Sequence, residues 1–457
     1  MGHQDGLQKG AMFMAGLTLL QSLRVALTGA KFALDRFKIP QQYASSFINM
    51  VHNPMELATF TGILIINIVA LGWKDFRYFA IFTNVTLCCS FVLLLIAFTS
   101  GGEQGNLTFY YWTIVFGSFI YGLNVACVMN VGNANASLFS VGIPLSGIQV
   151  CIYYFIFTEL AEWFNFSNIS YWIIVWQLVI AIVISAASAI LWVIAYHDGA
   201  SNDQQNPDDP KKGKHTGAAW SPILMAMVGM GTIYAFYPAI APYKLTDVGT
   251  GYTIDLAVLF VSAVPSLVIA ALCSCGVGLD IGPDRPWEGG FEAWHAAWLL
   301  AFPHITAMVL CFVTLHYPDS GVASSIKSSG LKVGAITITL KFCEESLKAV
   351  SYAGASKQVN EDEGGTYSSL NTFTSQGLMI ILAFTGDGYL KTYSKYEHDR
   401  SKWPTKDCGT FSSIWFWTKN GIKVACKSVK SSFTKNVRCK VLGKSEALLI
   451  VYADEEF

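Results

Sequence analysis

The sequence predicts an all-α, polytopic membrane protein with about eleven transmembrane helices, and three observations carry that reading. Of 457 residues, 53% are hydrophobic and only 13% charged, roughly half the charged share of a soluble domain. Apolar runs reach the length of about 20 residues that a helix rising 1.5 Å per residue needs to cross a hydrocarbon core of about 30 Å. A single hydrophilic stretch, His197 to Ala219, cuts the series of runs in two.

The first candidate span, 11–30, is interrupted by Arg24; clearer ones follow at 57–73, 76–98, 109–130, 137–160 and 170–196. The stretch 197–219 is rich in Asp, Asn, Pro, Lys and Gly. It cannot stay in lipid and reads as a cytoplasmic linker. Further spans are expected at 220–243, 252–274, 292–316, 331–353 and 367–390. The chain therefore divides into a six-helix N-terminal half (1–196), the linker (197–219), a five-helix C-terminal half (220–390) and a basic, partly amphipathic tail (391–457). Aromatic residues stand where headgroup belts belong: Tyr110, Tyr111 and Trp112, Tyr171 and Trp172, and singly Trp73, Tyr196 and Trp220. Two sequons, Asn106-Leu-Thr and Asn165-Phe-Ser, fall in loops on one side of the bundle. With the N-terminus cytoplasmic they face outward, while the linker faces inward.

The tail carries Lys419, Lys423, Lys427, Lys430, Lys435, Lys440 and Lys444. Ile414, Thr418, Ile422, Cys426, Val429 and Phe433 recur at helical spacing, so a basic helix lying on anionic lipid is expected, with a solvated basic tail as the alternative. Eleven spans starting inside place this tail outside, against the usual preference of lysines for the cytoplasm. The count takes precedence, because Lys341, Glu344, Glu345 and Lys348 in span 331–353 can face a bundle interior.

Several function classes drop out. A net charge of −1 gives no basic excess for nucleic acid. The cysteines sit mostly inside apolar runs and imply no disulfide framework, and Cys273 with Cys275 lacks a second ligand pair for a metal. Walker loops, nucleophile elbows and paired catalytic carboxylates are missing, so neither ATP-driven transport nor enzymatic hydrolysis is supported and no cofactor is implied.

Some polar residues at membrane depth need a reason. Asp255, near a span start, can accept hydrogen bonds from vicinal hydroxyls of a solute, or cap its helix. Arg24 can supply a cation inside the bundle, or mark 11–30 as a surface segment. The amides of Asn135 and Gln149 suit a base edge or a sugar hydroxyl, although Gln149 reads better as a helix bridge. Tyr237-Pro238 and Phe302-Pro303 interrupt helices at mid-span and can open a cavity wall. Lys341 and Glu345 form an i, i+4 pair, better read as structural than as a proton path. His295 and His304 read as single imidazoles near the interfaces.

Local stretches, in order, resemble the equilibrative nucleoside transporter family. They are LTLLQSLRVALTGAKFALDRF (17–37), YASSFINMVHNP (43–54), NASLFSVG (135–142), IPLSGIQV (143–150), IYAFYPAI (233–240), YTIDLAVLF (252–260) and SKQVNEDEGGTYSSLNTFTSQGL (356–378). The resemblance covers scattered parts of 15–390 and leaves out the tail. It implies two helical halves in a 6+5, major-facilitator-like arrangement that move a nucleoside or nucleobase by alternating access, with Asp255 in the acidic role and Asn135 in the amide role. Ser22 and Leu23 stand where the family has a Trp-Asn pair, Leu259 where it has an Arg, and Tyr237 where it has a Phe. The expected partners are thus a small-molecule solute, bound by Asp255, Asn135, Arg24, Gln149 and Tyr237, and anionic lipid at the tail. A plasma membrane is expected over an internal one. The rivals are a carrier of the same architecture for a sugar, amino acid or other metabolite, and a non-transporting scaffold with a lipid-binding tail.

Overall fold

The structure, a computed structural model, describes residues 2–27, 29–40, 44–73, 75–197, 216–238, 240–273, 281–397, 399–432 and 436–442. Most of the predicted linker and Phe433 lie outside these residues.

The first span is α1 (Gly2–Leu19) continued by α2 (Gln21–Leu27). The break between them coincides with Gln21, whose Nε2 donates to the Leu17 carbonyl at 3.2 Å; a side chain competing for the helical ladder bends it. This span is central rather than superficial: Ala11, Met12 and Ala15 are buried, and α1 packs against α7 (Ala136–Trp163) and α8 (Ile169–Tyr196). A Cβ on Gly16 would strike the backbone of Phe139, and one on Gly142 that of Phe13 and Leu17. Small residues on both helices set this close crossing.

After the short α3 (Ala30–Arg36) come α4 (Ala44–Val69), α5 (Arg77–Thr99) and α6 (Leu107–Val131). The same device joins α4 to α6, where a Cβ on Gly62 or Gly122 would meet the other helix's backbone. Helix α4 begins 13 residues before the span expected at 57–73. Its first half, with Ser45, Ser46, Asn49, His52, Asn53 and Glu56, is too polar for hydropathy to register.

In the second half, α9 (Trp220–Ile233) ends early and the chain runs on as turns through Pro238 and Pro242, so the expected span 220–243 is helical only in part. The next span is split into α10 (Val248–Val261) and α11 (Ala263–Leu272) at Ser262. Pro265 has no N–H for the carbonyl four residues before it, and Ser262 Oγ donates to the Leu259 carbonyl at 3.0 Å. A 3-10 stretch, Phe291–Leu300, leads into α12 (Ala301–His316). Pro303 therefore sits in the first turn of α12, where a missing N–H costs no bond, and near the middle of the span that Phe291–His316 forms. The short α13 (Gly321–Lys327) precedes α14 (Gly330–Gly354) and α15 (Glu361–Tyr393).

The bundle is polar inside and apolar outside. Asn84, Asn124, Gln177 and Ser188 are buried, and Ser188 Oγ donates to Asn84 Oδ1 at 3.1 Å. Ile68, Phe82, Val183 and Phe302 are exposed on the outer faces. Among the described residues six helical stretches reach spanning length and apolarity, and with the interrupted or polar spans the arrangement is that of a polytopic membrane protein.

The tail forms α16 (Thr410–Ser432) and α17 (Val437–Leu442). Helix α16 doubles back along α15, with Trp417, Gly421 and Ala425 buried and Gly421 against Gly388. The face of Ile414, Thr418, Ile422 and Cys426, expected against lipid, is exposed and is not the face that packs on α15. Lys419, Lys423, Lys427 and Lys430 are exposed too. Helix α17 crosses to the other half: Val437 and Val441 enter the cluster of Phe37, Phe47, Phe98 and Leu107, and Arg438 Nη2 donates to the Phe37 carbonyl at 2.8 Å. The described tail therefore lies at the end of the bundle that holds the Asn106 loop.

Candidate functional site

The two halves meet along α15 against α4 and α6, and along α7 against α10 and α11. The Phe60 and Phe373 rings stack at 5.4 Å across the first seam, and Ser140 Oγ and Ser266 Oγ approach to 3.4 Å across the second. At the linker end, a Cβ on Gly365 would strike the Asn130 carbonyl, which closes the bundle there.

Between the seams lies a cavity of about 130 Å³. The N-terminal half contributes Leu20, Leu23, Arg24, Glu56, Thr59 and Tyr121 to its wall. The C-terminal half contributes Tyr234, Tyr237, Ser262, Lys341, Glu344, Glu345, Lys348 and Gln376. The Tyr121 hydroxyl and the Gln376 amide bond across it, one from each half. Tyr234 sets its ring edge-on to His52 at 5.7 Å, again across the halves.

The charges follow a pattern. On α14, Lys341 Nζ lies 2.6 Å from Glu344 Oε2 and 3.5 Å from Glu345 Oε1; Lys348 Nζ lies 2.6 Å from Glu345 Oε2 and 3.6 Å from Glu344 Oε1. Two cations and two carboxylates on one helix face thus neutralise each other at three- and four-residue spacing, and all but Lys341 are less than a tenth exposed. Glu56 takes His52 at 3.3 Å. Arg24 differs. No carboxylate lies within ion-pair distance of it among the described residues, and its Nε is buried without a hydrogen-bond partner. The site opposite is cut to fit it: a Cβ on Gly147 would come within 2.8 Å of Arg24 Nη2 and 3.0 Å of Cζ.

The residues expected from the sequence separate here. Arg24 and Tyr237 line the cavity, and Lys341 Nζ sits 5.6 Å from the Tyr237 ring centroid. Asp255 does not line the cavity; the hydroxyls of Tyr237 and Tyr243 lie beside its carboxylate, whose Oδ1 is buried without a hydrogen-bond partner. Asn135 is not on the cavity. It closes a 3-10 turn, Asn133–Asn135, ahead of α7 and is buried there. Gln149 is not on it either, since Gln21 Nε2 donates to Gln149 Oε1 at 3.0 Å and Gln177 Nε2 to Gln21 Oε1 at 3.0 Å, a relay of amides joining α7, α2 and α8. His304 is not interfacial: it is fully buried, with Nε2 2.9 Å from Thr232 Oγ1. Glu56 was missed because it falls one residue before the span drawn at 57–73.

No protein-family model matches the chain, and no curated protein matches it in sequence. Solved structures do match in shape. The proton:xylose symporter XylE of the major facilitator superfamily, bound to 6-bromo-6-deoxy-D-glucose, aligns over 94% of this chain and 96% of its own, at 11% identity and a TM-score of 0.55. The fold is major-facilitator-like. A bacterial homologue of the iron transporter ferroportin in an outward-facing state aligns over 93% of this chain and 98% of its own, at 12% identity and a TM-score of 0.51. The same homologue with soaked iron aligns over 93% and 99%, at 11% identity and 0.52. At these identities the likeness is one of fold, and the major-facilitator arrangement accounts for the pairing of α4 with α15 and of α7 with α10 and α11 across the central cavity.

Proposed function

We propose that the protein carries a small polar solute across the membrane by alternating access, the two halves rocking about the central cavity. The observation that carries this reading is a polar cavity at the interface between the halves, lined by charged side chains from both. An ionisable group at membrane depth is costly, and such groups collect along solute pathways. The transporters of similar shape, among them the xylose symporter, support the same reading at the level of fold. The nucleoside or nucleobase cargo implied by the sequence resemblance is the finer form of the proposal. The exposed lysines of α16 support a contact with anionic headgroups beside this role.

Uptake by vesicles reconstituted with the purified protein, against a panel of nucleobases, nucleosides, sugars and small carboxylates, tests the proposal. Saturable uptake of any of them above empty vesicles is the result expected. A protein that binds anionic lipid but takes up none of the panel would instead be the scaffold that rivals this reading.

A further inference from the structure

Of six charged side chains on the cavity wall, Lys341 pairs with Glu344 and Lys348 with Glu345, and the Glu56 carboxylate has the His52 imidazole at 3.3 Å. Arg24 is left with a guanidinium that faces the cavity and no anion. A half-buried cation with no partner at membrane depth is costly. A protein retains one where a ligand completes the pair. The second observation is the position of the nearest other cation. Lys341, on the opposite half, is within electrostatic reach of Arg24 and of the Tyr237 ring that both face. Two cations from opposite halves thus converge on one space, and an anion seated between them would draw the halves together.

We propose that the solute carries a carboxylate, bound by the Arg24 guanidinium, with Lys341 of the other half facing the same space. This rests on the transport reading and narrows its cargo. The guanidinium fork takes the two oxygens of a carboxylate in parallel, which an ammonium cannot do. One unpaired charge matches one carboxylate, because a second negative charge would meet Glu56, Glu344 and Glu345 on the wall and Asp255 behind Tyr237. A small hydroxy acid or amino acid meets that requirement. Gly147 belongs to the site as the residue whose missing side chain leaves the guanidinium its place.

The test uses the purified full chain, titrated with lactate, alanine, succinate, uridine and glucose and read by tryptophan fluorescence, as wild type, Arg24→Gln and Arg24→Lys. Lactate or alanine should bind more tightly than succinate, uridine or glucose. Arg24→Gln should weaken that binding tenfold or more, and Arg24→Lys, which keeps charge and loses the fork, should fall between. Because the glutamine is cheaper to bury than the cation, folding is expected to survive, and unchanged thermal melting of the unliganded variants checks it. No binding of lactate or alanine to wild type, or binding that Arg24→Gln leaves unmoved, would overturn the proposal. Vesicle uptake separates the two readings. Uptake of uridine or glucose that is indifferent to Arg24→Gln keeps transport and removes the carboxylate, whereas Arg24-dependent binding of lactate or alanine without uptake of any of the five keeps the carboxylate site and removes transport.

Discussion

Removing the Lys348 ammonium should destabilise the protein, and removing its partner as well should restore it. Lys348 is 4% exposed and holds Glu345 at 2.6 Å, with Glu344 at 3.6 Å. In Lys348→Met the face of α14 keeps two carboxylates and a single cation, Lys341, which already holds Glu344 at 2.6 Å. The charge on Glu345 is then uncompensated, and breaking a buried pair from one side costs about 3–5 kcal/mol. In the double variant Lys348→Met with Glu345→Gln, Lys341 and Glu344 remain as a neutral pair and the uncompensated charge is gone. The remaining loss is that of a hydrogen bond, about 1 kcal/mol. The cycle of wild type, two singles and the double should therefore yield a coupling of about 2 kcal/mol or more between the two positions. Equilibrium unfolding in detergent, followed by tryptophan fluorescence, measures each corner. Additive losses, or a Lys348→Met protein as stable as wild type, would refute the neutralised ladder.

The remaining predictions concern the cavity, the tail and the topology. Gly147→Ala places a carbon 2.8 Å from Arg24 Nη2, so solute affinity should fall by about tenfold, or 1.4 kcal/mol, with expression unchanged; equal affinity in a binding titration would mean the guanidinium does not occupy this place. Trp417→Ala empties a buried aromatic cluster shared with Tyr389, Tyr393 and Trp403 and should cost about 3–5 kcal/mol by the same unfolding assay, whereas a solvated tail would lose almost nothing. Cysteines placed at Asn106 and Asn165 should label from the same face of the membrane as native Cys408, and a cysteine within 198–215 from the other; Cys408 labelling with the linker would refute an odd number of crossings. Asp255→Asn and Tyr243→Phe should each weaken solute binding by less than tenfold, because both act through Tyr237, and a larger loss in Asp255→Asn alone would put the carboxylate in contact with the solute.

The apolar spans were legible from composition because lipid permits few alternatives. Helices α5, α6, α7 and α8 begin and end within a few residues of the expected 76–98, 109–130, 137–160 and 170–196. Where helices carry polar residues into the bundle, hydropathy fails in a predictable direction. The expected span 57–73 missed the start of α4 because His52, Asn53 and Glu56 face inward, and in doing so it left Glu56 outside the candidate site. In the tail, spacing marked the face of Ile414 and Ile422, which is exposed, and passed over the face built on Gly421 and Ala425, where small residues let α16 approach α15. Periodicity of large apolar residues finds faces that meet lipid or a soluble core, and it is blind to faces that meet another helix backbone.

The site itself was legible in proportion to how far each charge depends on other helices. Lys341, Glu344, Glu345 and Lys348 satisfy one another within α14, so their spacing explains them in any fold and says nothing of a cavity. Arg24 has Leu20, Gln21, Leu27 and Thr28 three and four residues away, none of them an anion. Its own helix cannot neutralise it, and a cation at that depth must find its partner elsewhere in the bundle or in a ligand. That much follows from sequence. Which of the two holds depends on whether another helix brings a carboxylate across, and the packing settles it among the described residues: α7 presents Gly147, α10 presents Leu259, and Asp255 is turned toward the hydroxyls of Tyr237 and Tyr243. Leu259 lines the cavity beside Gly147 and brings no charge, which leaves the single positive charge of Arg24 to define what enters.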